Sequence, residues 1–157
     1  RQRQMCIRDS FYIGGTKCGA LFGEAMVVVN PVLQPYFRNS MKQAGTMLAK
    51  GWLLGLQFTK LFEGGRYFEY GKRAVAQAMR IKAALAARGM VAAPDSPTNQ
   101  QFALMDDAQL TALSETCIAE FEGKTPEGLN MVRFCTSWST TDAEVDAVVA
   151  AIEGLPE

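Results

Sequence analysis

Three glycines within six residues, in the run Gly14-Gly15-Thr16-Lys17-Cys18-Gly19, separate two apolar segments and limit what the start of this chain can become. Before them, Phe11-Tyr12-Ile13 is a short aromatic and β-branched run. After them, Gly23 to Val29 is a second, stopped by Asn30-Pro31. Aromatic and β-branched side chains suit a pleated strand, and Gly-Gly and Asn-Pro punctuate one. The expectation is strand, tight loop, strand, with Lys17 carried in the loop.

Helical spacing follows. Met41, Ala44, Leu48, Trp52, Leu56 and Leu61, widened by Leu53 and Phe58, predict one long helical region. Gly45, Gly51 and Gly55 each weaken it by roughly 1 kcal/mol relative to Ala, which suggests close packing against a neighbour or another subunit. Glu63-Gly64-Gly65 ends it. A second, Ala-rich helix is expected from Tyr67 to Arg88, with Gly89 as its stop. Beyond Gly89 the texture is mixed. Met90-Val91-Ala92, Gln101 to Leu104, Cys117 to Phe121 and Leu129 to Cys135 read as strands. Asp106 with Gln109, and Thr141 with Glu144, read as capping boxes opening two helices. In the second of these, Val145, Val148, Val149 and Ile152 share a face. Trp52 and Trp138 read as packing residues. Arg1 to Ser10 lacks periodicity and is expected to be a non-native or disordered tail. The domain reading is 1–10 tail, 11–65 the end of a larger domain with its linking helix, and 66–157 a small α+β domain.

Charge and composition narrow the function. Sixteen basic and sixteen acidic side chains balance to zero, which argues against a binder driven by phosphate attraction and hence against nucleic acid. The chain contains no histidine, so no Ser-His-Asp triad, Cys-His pair or HExxH zinc site can be built from it. Cys6, Cys18, Cys117 and Cys135 form no CxxC pair and read as free thiols in a reducing, cytoplasmic compartment, with no metal site. Ala25 to Val29 is too short to cross a membrane.

Three residues carry candidate chemistry. Lys17 sits in a loop whose glycines let a flat ring approach the backbone. If the loop keeps its amine out of bulk water, the lysine pKa falls and the amine can attack a carbonyl; a solvent-exposed turn lysine is the competing reading. Arg133, inside the apolar run Met131 to Cys135, needs an anion: either Glu120 or Glu122 from a neighbouring strand, or a substrate carboxylate gripped by the planar fork. Lys42 lies in a basic helix start that would receive a phosphate, or would simply be a solvated first turn. The polar run Thr98-Asn99-Gln100-Gln101 would line a pocket or cap a strand.

The segment Phe11 to Ala20 resembles the cofactor-lysine segment of low-specificity threonine aldolases. These belong to the threonine aldolase and β-eliminating lyase family of pyridoxal-phosphate-dependent, aspartate-aminotransferase-like (fold type I) enzymes. Three further segments resemble the family in order and spacing: Lys42-Gln43-Ala44-Gly45 with Leu48-Ala49-Lys50-Gly51, Ser96 to Phe102, and Val132 to Trp138. The resemblance implies an α/β fold class, as the C-terminal part of a pyridoxal-phosphate transferase fold: the end of the large-domain sheet, long linking helices and a small α+β domain. It implies Lys17 as the residue holding pyridoxal 5'-phosphate as an internal aldimine, with Thr16 and Lys42 near the cofactor. Arg133 would grip the α-carboxylate of a small β-hydroxy amino acid such as threonine, cleaved to glycine and an aldehyde. A homo-oligomer, dimer or tetramer, is implied as well. The family's ring-stacking histidine, pyridine-pairing aspartate and main phosphate loop belong to an upstream half this sequence does not contain. The chain alone is therefore expected to be a fragment, inactive or marginally soluble. The alternatives are a β-eliminating lyase acting on another amino acid, or a packing module without cofactor chemistry.

Overall fold

The computed structural model describes residues 9–156. They divide into two compact units, one ending at Phe68 and the other beginning at Glu69. Of the tail expected over residues 1–10, the first eight lie outside the described residues. Ser10 opens the first strand, and Asp9 accepts hydrogen bonds from Val29 N (2.8 Å) and Asn30 Nδ2 (2.6 Å).

In the first unit, β1 (Ser10–Gly14) and β2 (Glu24–Val28) form an antiparallel hairpin with Tyr12 opposite Met26. Between them lies a single 3-10 turn, Thr16–Cys18. The strand–loop–strand expectation holds. The single long helix does not. Helix α1 (Phe37–Gln43) stops, and α2 (Trp52–Phe62) starts afresh after eight intervening residues. Gly45 adopts φ 72°, a left-handed conformation that terminates a helix and that glycine adopts without Cβ strain. Helical spacing was preserved across the break, so periodicity could not reveal it. Nothing lies within 4 Å of where a Cβ would sit on Gly45 or Gly55, so the expected close packing at these two glycines is absent among the described residues.

Helix α3 (Arg66–Ala87) crosses the boundary between the units, and Gly89 ends its run at φ 67°. The second unit carries β3 (Gln100–Met105), α4 (Asp107–Ser114), β4 (Glu120–Lys124), β5 (Asn130–Cys135) and α5 (Asp142–Glu153). The three strands form an antiparallel sheet in the order β3-β5-β4. Alternation decides its faces. Ala103, Met105, Val132 and Phe134 point inward and join Ile81 and Leu85 of α3, Leu113 of α4, and Val145 and Ile152 of α5 in one core. Phe102, Met131 and Arg133 point to the other face. Both capping boxes form: Asp106 Oδ1 accepts from Gln109 N (2.8 Å), and Thr141 Oγ1 accepts from Glu144 N (3.3 Å). Two strand expectations shift. Met90 to Ala92 makes only an isolated bridge, Val91 to Ala103, and the strand expected at Cys117 begins at Glu120.

Neither tryptophan is a core residue: Trp52 is 64% exposed, and Trp138, 42% exposed, lies against the Tyr70 ring at 6.1 Å. No helix among the described residues is long and apolar enough to cross a membrane. Cys18, Cys117 and Cys135 are free thiols, and Cys6 lies outside the described residues.

Candidate functional site

The loop after β1 is built by close packing at Gly15. A Cβ on Gly15 would lie 2.8 Å from Ala20 Cβ, 2.8 Å from Gly23 O and 3.0 Å from Phe58 Cζ, so only glycine fits without displacement. The Gly15 carbonyl accepts from Cys18 N (2.9 Å) and Ala20 N (3.0 Å), which winds the turn around Thr16 and Lys17. Gly19 at φ 100° then reverses the chain. Two side chains fasten the loop from outside. Tyr67 Oη donates to Gly14 O at 2.9 Å. Gln57 Oε1 accepts from Leu21 N at 2.7 Å. Burial, and then the neighbouring Cys18 thiol, push the Tyr67 phenol above its ordinary range.

Lys17 and Thr16 stand exposed at the crest of this turn. Of the two readings of Lys17, the described chain realises the exposed one; its amine has no hydrogen-bond or ion-pair partner among the described residues. Lys42 is also exposed, and its place differs from the expectation. It lies in the last turn of α1, beside the carbonyl end of the helix. A phosphate received by helix N-terminal amides is therefore not available at Lys42, because those amides are at the other end.

Arg133 belongs to the second unit. It lies on β5 opposite Phe102 of β3 and Glu120 of β4. Its Nη2 donates to Glu120 Oε2, its Nε lies 3.0 Å from Glu122 Oε1, and its Nη1 donates to Gln100 Oε1 at 3.4 Å. The hydrogen bond to Glu120 is the main reason the guanidinium pKa is raised further. Both glutamates reach one arginine because β4 is irregular. Its pairing steps from Phe121 to Gly123, so Glu122 is an extra, unpaired residue, and Glu120 and Glu122 both meet the guanidinium. On the Arg133 face, Phe102 and Met131 join residues 93–97 in lining an apolar cleft of about 370 Å³.

The polar run before β3 acts as a brace. The Gln101 side chain, 2% exposed, donates to Ser96 O (3.2 Å) and Thr98 O (2.8 Å), and Asn99 Nδ2 donates to Thr136 O (2.6 Å). Only Gln100 turns toward Arg133. Sequence reasoning named Gln100 only within a polar run that would line a pocket or cap a strand, and did not find Gln57 or Tyr67 as loop fasteners; each acts across a sequence separation of more than thirty residues, and no local pattern encodes it. Among the described residues no group of three or more Cys, Asp or Glu is placed to hold a metal ion.

This topology, a hairpin with a glycine-set lysine turn and an α+β unit bearing an arginine on its open sheet face, is that of the C-terminal part of a pyridoxal-phosphate transferase fold. The chain is similar to the fold-type I family of pyridoxal-phosphate-dependent enzymes, and it spans less than half the length of the members it matches. Within that family it is similar to a threonine aldolase from Leishmania major: 36% identity and a TM-score of 0.86, over 92% of this chain and 42% of that one. The fold is shared by 8-amino-7-oxononanoate synthase from Francisella tularensis, at 13% identity and a TM-score of 0.59, over 84% of this chain and 41% of that one. No family model matches the chain, and no curated protein matches it by sequence.

The residues present fit one part of the family's cofactor site. Lys17 Nζ, exposed on a turn that admits no Cβ at Gly15, is accessible to an aldehyde, and no residue among those described withdraws it from water. With no histidine in the chain, a ring-stacking imidazole cannot come from it.

Proposed function

We propose that this chain supplies the cofactor lysine and the substrate-binding arginine of a pyridoxal-phosphate-dependent aldolase, one that splits threonine or a related β-hydroxy-α-amino acid into glycine and an aldehyde. The observation that carries the reading is the likeness to a threonine aldolase over 92% of the chain at 36% identity, with Lys17 on its glycine-set turn. Lys17 would hold the cofactor through Nζ, and Thr16 and Lys42 are proposed beside it, Lys42 as a charge near the phosphate or a subunit contact. When bound, pyridoxal phosphate supplies an electron sink for breaking the Cα–Cβ bond. Arg133 would contribute binding and orientation, its fork taking the α-carboxylate of the substrate. The freed Lys17 amine accepts and returns a proton at Nζ. The exposed apolar side chains of the first unit, among them Leu21 (85%), Val32 (79%) and Trp52 (64%), support assembly with further protein surface, proposed as a homo-oligomer.

One observation favours a second reading, a packing module without cofactor chemistry: Arg133 already holds two glutamates. Borohydride reduction with pyridoxal phosphate, followed by peptide mapping, separates the two. Stoichiometric label on Lys17 is the expected result; label scattered over surface lysines, or none, favours the module.

A further inference from the structure

Arg133 sits between two carboxylates, so the cluster of one guanidinium and two glutamates carries a net negative charge and resists an incoming anion. Two docking edges of a guanidinium accept a carboxylate bidentately, Nε with Nη2 and Nη1 with Nη2, and Nη2 is common to both. Glu120 holds Nη2. Glu122 Oε1 lies 3.0 Å from Nε as an ion pair without hydrogen-bond alignment, and the amide oxygen of Gln100 takes Nη1 only at 3.4 Å. The glutamates also differ in exposure: the Glu120 side chain is 64% exposed and that of Glu122 is 32%. Release into water therefore costs Glu120 less.

We propose that Glu120 is an internal competitor for the ligand edge of Arg133, displaced by the carboxylate of a small amino acid, while Glu122 stays at Nε and keeps the guanidinium aimed. The inference rests on the reading of Arg133 as a carboxylate-binding residue. It makes Glu120 a specificity-setting residue: a ligand must present a carboxylate able to outbid a tethered one, and a neutral analogue cannot. Glu122 and Gln100 are positioning residues, acting on the ligand through Arg133.

The test follows the Arg133 Nε–H signal by nuclear magnetic resonance in the full chain. That signal is assigned by its loss in Arg133→Lys. The probes are glycine and, as the control without a carboxylate, glycinamide. Glu120→Gln, and independently Glu120→Ala, should bind glycine roughly threefold to fivefold more tightly than the parent chain, the range set by removing one exposed ion pair. Glycinamide should leave the signal unmoved. Glycine binding that is equal or weaker in both variants overturns Glu120 as competitor while leaving Arg133 as a carboxylate site. Absence of any glycine response in parent and variants overturns the Arg133 reading and the inference with it.

Discussion

Replacing Gly15 by Ala tests whether packing, rather than backbone freedom, holds the lysine turn. Gly15 lies at φ −102° and ψ −46°, a conformation open to alanine, so no backbone penalty is expected. The cost is steric. The new Cβ would meet Ala20 Cβ and Gly23 O at 2.8 Å and Phe58 Cζ at 3.0 Å, where unstrained carbon contacts lie at about 3.5–4.0 Å. Relief is blocked on each side. Ala20 is hydrogen-bonded to Gly15 itself. Gly23, at φ 85°, is backed by the Leu54 side chain. Phe58 is only 8% exposed and stacks on Phe62. Overpacking of this kind costs about 1–3 kcal/mol, and the stiffer unfolded chain returns about 0.4–1 kcal/mol. The net loss should be about 1–2 kcal/mol, a factor of roughly 5–30 in the population of the closed turn. Amide exchange at Ala20, whose N–H is bonded to Gly15 O at 3.0 Å, reads it directly. Gly14→Ala is the matched control, since nothing lies within 4 Å of its Cβ position, and it should leave exchange unchanged or slower. Protection of Ala20 in Gly15→Ala equal to that in the parent chain, or equal weakening by both substitutions, would refute packing at Gly15 as the constraint.

Tyr67→Phe removes the bond to Gly14 O and should loosen the same turn by about 1 kcal/mol; a phenol titrating above its ordinary range should vanish from the alkaline absorbance titration, and its persistence would assign the shift to another tyrosine. In the second unit, Leu113→Ala truncates a fully buried side chain and should lower unfolding free energy by about 2–5 kcal/mol in urea; a cost near zero would mean the core is not packed as described. The Glu144 carboxyl is held below its ordinary range, mainly by the backbone N–H of Thr141, and Asp107 by the Asn130 amide and then Lys124. Because both folded values are depressed, this stability is present above the ordinary carboxylate range and is lost as pH falls through the lowered values. Melting temperature should therefore drop on acidification below about pH 4.5, less steeply in Glu144→Gln; identical pH profiles would remove the cap from the account. Sedimentation of the chain should depend on its concentration, as the exposed apolar side chains of the first unit demand, and a monomer at every concentration would count against the proposed assembly.

Local chemistry in the sequence determined much of this protein. Both capping boxes are where their side chains predict, because a cap needs only residues three apart. The hairpin and its lysine turn follow from glycine punctuation, and the stop of α3 follows from Gly89. Arg133 could be assigned a glutamate partner from composition alone, since an apolar strand leaves a guanidinium few alternatives. Tertiary structure decided the rest. Helical spacing continues across residues 44–51, yet the chain leaves the helix there, with Gly45 in a left-handed conformation at the exit. The exposure of Lys17 depends on which residues pack around its turn, and Tyr67 and Gln57 reach that turn from distant positions. Arg133 holds both glutamates because a one-residue register step in β4 leaves Glu122 as an extra, unpaired residue beside the pairing with β5. Periodicity specifies which face a residue takes within an element; the partner across a gap is set by register and packing, which the whole chain must fold to determine.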